Sequence, residues 1–309
     1  MSEFSDRQNI PYHLLSDLDS AVIRQYGILN DSIEPGDVFL YGIPYPGVYM
    51  CDEEGVVISK SFHDTYKKRD SADLLLDAAL GRVVVNENSP QAKGGDDEVA
   101  IHVAVHGGDG SIRQGIVRQL VIRFEPGDGL HLYGEPVPEG MRALTVNASG
   151  PPGLVFQEPR FPETESLYLA AMDLTLQVWK GAFEITVPFY PVGELASETR
   201  PLDQGSVDIS VDIQYQACDD ETCRLPKSES FQFELPLDVI DVPNIDVHTG
   251  HGQREGAYDG TPHLRRLFLR KLKEHPLGFI RYLFKHVRLM RASKRRAKES
   301  NRQMNVHDD

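Results

Sequence analysis

Between residues 98 and 243 the apolar positions recur every second residue. Val99, Ile101, Val103 and Val105 alternate with polar or small partners, and Val207, Ile209, Val211, Ile213 and Tyr215 are set against Asp208, Ser210, Asp212 and Gln214. Successive side chains of a strand point to opposite faces, so this period predicts strands with one buried and one wet face. Further runs lie at Ile116 to Phe124, Leu130 to Tyr133, Arg142 to Asn147, Leu154 to Phe156, Leu174 to Trp179, Phe183 to Phe189 and Phe231 to Leu237. Short strands joined by Pro- and Gly-rich turns, with no helices between them, predict an antiparallel sandwich over 98–243.

The flanks are patterned differently. Ser5 to Gln8 reads as the end of a helix, Pro11 to Leu15 as a short strand, and Asp17 to Tyr26 as a helix closed by Gly27. Gly47 to Cys51 and Val56 to Lys60, joined by Asp52-Glu53-Glu54-Gly55, predict a hairpin. Ser71 to Leu80 predicts a helix with Ser71 as N-cap, Leu74, Leu75 and Ala78 on one face, and Gly81 as its stop. Residues 86–97 and 244–262 lack periodicity, are rich in Gly and polar residues, and read as linkers. From 263 to 309 apolar residues fall at helical spacing, broken around Pro276 and Gly278, with basic residues on the other face.

The organisation is therefore an α/β unit at 1–85, a linker at 86–97, a sandwich of immunoglobulin-like type at 98–243, a linker at 244–262 and a basic helical tail at 263–309: an α+β, multi-domain chain. Charge follows the same division. Residues 261–309 carry 14 Lys+Arg and 4 Asp+Glu, a net of +10, which leaves a net of −25 in residues 1–260 out of the −15 of the whole chain. The tail suits contact with an anionic membrane surface, a protein partner or its own acidic body, and the acidic body argues against nucleic acid. No apolar run reaches the roughly 18 residues of a membrane span, and residues 1–6 do not read as a secretory signal, so the sequence as written points to the cytoplasm.

Three cysteines exclude a disulfide-stapled scaffold. Two of them are closely spaced, in Cys218-Asp219-Asp220-Glu221-Thr222-Cys223. They can bridge only if the loop folds back on itself, and so small a ring adds little stability. A reversible redox pair is favoured over a structural disulfide, inert thiols or half of a zinc site, which would want four ligands. Strand parity counted from Val207 puts Cys218 on the polar side. His248, His251 and His263, near Asp246 and Asp259, read as solvated rather than metal-binding. Asn147-Ala148-Ser149 matches a glycosylation acceptor by chance, and no cofactor-binding motif stands out.

Tyr215-Gln216-Ala217-Cys218, followed by acidic residues, Cys223 and Pro226, resembles the active-site segment of the N-terminal domain of DsbD-type thiol:disulfide interchange proteins. The resemblance extends loosely over 98–240. It implies an immunoglobulin-like sandwich relaying electrons through Cys218 and Cys223, with Tyr133 of Gly129-Leu130-His131-Leu132-Tyr133 beside them. It also implies that Glu165 belongs to a cap over the pair, where Leu167 replaces the family's aromatic ring. The four-residue spacer is shorter than the family's. Separately, Tyr41-Gly42-Ile43-Pro44-Tyr45-Pro46-Gly47-Val48-Tyr49-Met50-Cys51, with Tyr12 to Asp17 before it, resembles the C-terminal half of the redoxin (alkyl hydroperoxide reductase and thiol-specific antioxidant) branch of thioredoxin-fold proteins. That likeness implies a truncated thioredoxin-like unit, a cis bond before Pro46, and Cys51 as a buried bystander. The family's catalytic cysteine sits in a strand–helix unit that would precede residue 1.

The expected function is thiol–disulfide exchange with a thioredoxin-like redox partner, needing neither cofactor nor metal. The alternatives are a non-catalytic adaptor docking to a protein or membrane, and a peroxiredoxin-like antioxidant if a catalytic cysteine lies upstream.

Overall fold

The structure, a computed structural model, describes residues 11–17, 19–34, 41–63, 68–169, 173–197, 200, 204–219, 221–239 and 261–274, together with 276–278, 280, 281, 283, 284, 287, 288 and 291. The helix end at Ser5 to Gln8, most of the linker at 244–262 and the tail beyond 291 lie outside the described residues. Two compact units are formed, one by residues 1–49, 60–66 and 280–309, the other by 50–59 and 67–279.

In the first unit, helix α1 (Ala21–Gln25) begins where the Asp17 carboxylate accepts from the amides of Ala21 (3.0 Å) and Ile23 (2.9 Å), and it ends at Gly27 with φ 66°. Strands β1 (Gly47–Cys51) and β2 (Val57–Phe62) form the predicted hairpin, whose tip, residues 50–59, is counted with the second unit. Its turn is closed by the Asp52 carboxylate on the Val56 amide (2.8 Å), and Gly55 takes φ 81°. Pro11 to Leu15 forms no strand; Tyr12 and Leu15 are exposed, and no strand among the described residues pairs with them. The Tyr45–Pro46 bond is trans, which corrects the expected cis bond. The chain stays extended here, the Tyr45 amide bonding Ile28 O at 2.7 Å and Pro46 O accepting from His63 N at 3.0 Å. Trans is the intrinsically favoured isomer, and nothing in this extended entry to β1 demands the other.

The second unit is the sandwich. Strands β3 (Arg69–Asp70), β4 (Gln91–Gly95), β5 (Val99–His106), β6 (Ile116–Pro126), β9 (Leu154–Phe156) and β12 (Phe183–Pro191) make one sheet in the order β4-β5-β6-β12-β9, with β3 parallel to β6. Strands β8 (Thr145–Ser149), β13 (Ser206–Tyr215) and β15 (Lys227–Pro236) make a facing sheet in the order β15-β13-β8. Register aligns the apolar positions: Val103 opposes Ile122, Ile185 opposes Ile122 on the other side, and Ile209 opposes Phe233. All of these residues are buried, so the two inner faces meet in one core, as period-two alternation demands.

Two stretches depart from the sequence reading. Residues 86–97 are not simply a linker, because β4 lies within them and pairs with β5. Its glycines disguised it: a Cβ at Gly94 would stand 2.7 Å from the Phe231 ring, and Gly95 adopts φ 81°. Helix α2 (Ala72–Leu80), capped by Ser71 Oγ on the Leu74 amide, buries Leu74 against Val117, Tyr190 and Val192. It thus packs on the sandwich unit, although its sequence places it before the expected boundary at 85. A short helix α3 (Gly193–Ala196) follows β12 with Leu195 buried, and helix α4 (Thr261–Glu274) opens the basic tail with Leu267 and Lys271 buried, four positions apart on one face.

Candidate functional site

The remaining strands, β7 (His131–Tyr133), β10 (Glu165–Leu169), β11 (Leu174–Lys180) and β14 (Ala217–Cys218), form a third sheet in the order β10-β11-β7-β14. The chain enters it from β13. Odd positions of β13 are buried through Tyr215, but Gln216, Ala217 and Cys218 are buried too. The parity expectation for Cys218 is therefore overturned: its side chain is 0% exposed. The cause is a change of sheet at Gln216, whose side chain accepts from the Arg142 amide (2.8 Å) and donates to Arg224 O (2.9 Å) while Ala217 and Cys218 move on to pair with Leu132 and His131. A strand that changes partners need not keep its face.

Beyond Cys218 the chain folds back. Asp219 N donates to Thr222 O (2.9 Å) and Arg224 N to Ala217 O (2.8 Å), so Cys218 and Cys223 face each other as an antiparallel bridge pair with Cα atoms 4.1 Å apart, joined by a disulfide. The Asp219 carboxylate organises this turn by accepting from the amides of Glu221 (2.9 Å) and Thr222 (2.6 Å). These amides, the Thr222 hydroxyl and Arg224 hold its carboxyl down at about 2, below the ordinary 3.8. Arg224 in turn pairs with Asp219 (3.2 Å) and Glu98 (2.7 Å), and Lys227 with Glu98 (2.7 Å) and Asp96, tying the turn to the start of β5.

The two sulfurs have unlike surroundings. Cys218 packs with Tyr133, Leu176 and Val178, and Leu167 lies partly buried against the same cluster. Cys223 is exposed. Tyr133 is 1% exposed, and its hydroxyl stands 3.8 Å from Cys223 Sγ. Burial, and secondly the charge of Asp219, push the phenol's ionisation upward, so it keeps its proton at neutral pH. The same hydroxyl contacts His131 Nε2 at 3.1 Å, and the two rings meet edge to face with centroids 5.1 Å apart.

The structure thus brings together Cys218, Cys223 and Tyr133 of the residues singled out by sequence. Glu165 is exposed on the outer strand β10, opposite Val178, and it is Leu167 that packs into the cysteine cluster. Pro46 belongs to the first unit, and the cysteine pair to the second. Cys51 is an exposed free thiol, which corrects its reading as buried: it ends β1 of a two-stranded hairpin that no further strand joins among the described residues. His131, Gln216 and the anchoring role of Asp219 were missed. Only His131 had a signal, since two residues before Tyr133 on a strand means the same face. His248 and His251 lie outside the described residues.

Residues 110–235 match the family model of the thiol:disulfide interchange protein DsbD, N-terminal. The cysteine-bearing segment is similar to the DsbD N-terminal domain. Residues 1–60 match the AhpC/TSA family. Among solved structures, the N-terminal periplasmic domain of ScsB from Proteus mirabilis is similar at 10% identity and a TM-score of 0.33, covering 48% of this chain and 52% of that one. A DUF4426 family protein from Pseudomonas aeruginosa PAO1 is similar at 13% identity and a TM-score of 0.18, covering 48% and 96%. The chain thus spans about half the length of the ScsB structure. No curated protein matches it. The DsbD-similar segment contains Tyr133, Cys218 and Cys223, and the AhpC/TSA-similar one contains Pro46, β1 with Cys51 and the first part of β2.

Asp219 gives the DsbD-similar site a pH dependence whose sign can be stated. Its carboxyl is depressed in the folded chain, so its contribution to the turn is complete above the ordinary 3.8 and is lost as pH falls toward about 2. Cleavage of the disulfide by a phosphine, which reduces in acid, should be faster in Asp219→Asn than in wild type at neutral pH. The ratio of the two rates should fall to one across that acid window. A ratio that stays constant there would remove Asp219 as the anchor.

Proposed function

We propose that this chain is a thiol–disulfide exchange protein in which Cys218 and Cys223 pass a pair of electrons between thioredoxin-like partners. One observation carries the reading. The pair sits on a turn with one cysteine exposed and the other buried, the asymmetry needed for a defined point of attack and a protected resolving thiol. The similarity of residues 110–235 to the DsbD N-terminal family supports the same chemistry. We read the segment similar to AhpC/TSA proteins as part of a thioredoxin-like unit linked to this relay.

Exchange is tested by mixing the oxidised chain with a reduced thioredoxin-like protein and following the redox state of both by thiol labelling. The Cys218→Ser, Cys223→Ser double variant should show none of the wild-type exchange. Exchange undiminished in that variant would sink the proposal and leave the sandwich as an adaptor.

A further inference from the structure

A tyrosine hydroxyl has one proton to give. In the disulfide form the Cys223 sulfur carries none, so Tyr133 is the donor in the 3.8 Å contact between them. With that proton directed at sulfur, the lone pairs of the same oxygen are left to accept from His131 Nε2, 3.1 Å away. His131 is 1% exposed, opposite Cys218 in the β7–β14 register, so this donor chain is built into the interior of the sheet. We infer that His131 is a positioning residue of the redox site, its Nε2–H fixing the Tyr133 hydroxyl so that the hydroxyl donates to the Cys223 thiolate whenever the disulfide opens.

The inference rests on the exchange reading above. A thiolate of a partner dithiol attacks Cys223 Sγ; the new S–S bond forms as the Cys218–Cys223 bond breaks, and the electron pair leaves on Cys218, which takes a proton from water. The partner's second thiolate then attacks the partner's own sulfur. That closes the partner's disulfide and releases Cys223 as a thiolate. The partner loses two electrons and the cysteine pair gains them. It is this thiolate that meets the Tyr133 hydroxyl, and in the reverse direction the same thiolate is the nucleophile. Groups facing the His131–Tyr133 pair include Cys218 from β14, Lys180 from β11, and Asp219 with its partner Arg224 in the turn. Asp219 opposes a second negative charge nearby, which makes a neutral donor the fitting way to accommodate a thiolate.

The test follows iodoacetamide labelling of Cys223 in the reduced full chain across pH, read by mass spectrometry. Tyr133→Phe and His131→Leu should each slow labelling at neutral pH roughly threefold, because loss of the hydrogen bond lowers the thiolate fraction while a more basic thiolate partly offsets it. His131→Gln keeps an N–H donor and should restore most of the rate. The His131→Leu, Tyr133→Phe double variant should be no slower than Tyr133→Phe alone, since both act through one hydroxyl. Wild-type labelling in His131→Leu at every pH, or additive effects in the double variant, would overturn the inference. Nitrogen shifts of the oxidised wild-type imidazole decide independently of whether any variant folds: a proton on Nε2 is expected, and one on Nδ1 alone refutes the donor chain. None of these measurements uses a redox partner, so a chain that fails to exchange but keeps the His131 dependence would lose only the exchange reading.

Discussion

Replacing Cys218 by Ser should yield a protein that accumulates a mixed disulfide with a thioredoxin-like partner through Cys223, whereas replacing Cys223 by Ser should yield one that does not. The reason is access. Thiol–disulfide exchange needs an approach to sulfur along the bond being broken, and Cys218 is 0% exposed behind Tyr133, Leu176 and Val178. Cys223 lies at the surface. In Cys218→Ser the exposed thiolate still attacks the partner, but the thiol that would resolve the complex is gone. The trapped species should exceed that of Cys223→Ser by about tenfold or more, the difference expected of an accessible thiol over a buried one. Non-reducing electrophoresis and mass spectrometry of the linked peptides read it directly. Equal trapping through Cys218 would reverse the order of attack.

Phe124→Ala should be the most costly single change in the sandwich. Phe124 is fully buried in β6, the strand between β5 and β12, and opposes Ile101 on one side and Phe183 on the other. Its ring stacks on Phe183 with centroids 5.1 Å apart and meets Tyr215 of the facing sheet edge-on at 6.5 Å. Truncation removes both contacts and leaves a cavity that two hydrogen-bonded strands cannot collapse to fill. A loss of about 3–5 kcal/mol is expected. In urea unfolding the midpoint should fall while the slope is unchanged, since the surface exposed on unfolding is nearly the same. Phe124→Leu, which keeps most of the volume, should cost clearly less. An effect for Phe124→Ala no larger than that of a surface substitution would contradict the packing of the two sheets.

The sandwich was legible because its code is local. Val207 to Tyr215 alternates without a break, and β9 at Leu154 to Phe156 falls where the pattern puts it. What was hidden depends on partners distant in sequence. β4 is invisible in its own composition, since Gly94 is required by a ring 137 residues away in β15. Leu74 marks the buried face of α2, but nothing near it reveals that Tyr190 and Val192 cover that face. At the site, the spacing of Cys218 and Cys223 displayed the pair and family likeness pointed to Tyr133. The burial of Cys218 was misread because alternation predicts a face only while a strand keeps its neighbours, and Gln216 marks the residue where they change.

The turn that carries the cysteines is held at both ends by bonds that do not involve sulfur: Arg224 N to Ala217 O, Gln216 Nε2 to Arg224 O, and the Asp219 carboxylate on its two amides. None of these bonds needs the S–S link, so they are expected to survive its opening. The two thiols stay neighbours, so closing the ring again is an intramolecular reaction at high effective molarity, its orientational cost already met when the sheet formed. In the proposed exchange, a turn built this way would let the pair shuttle between its redox states without remodelling the backbone, and would present both forms to a partner in nearly the same shape.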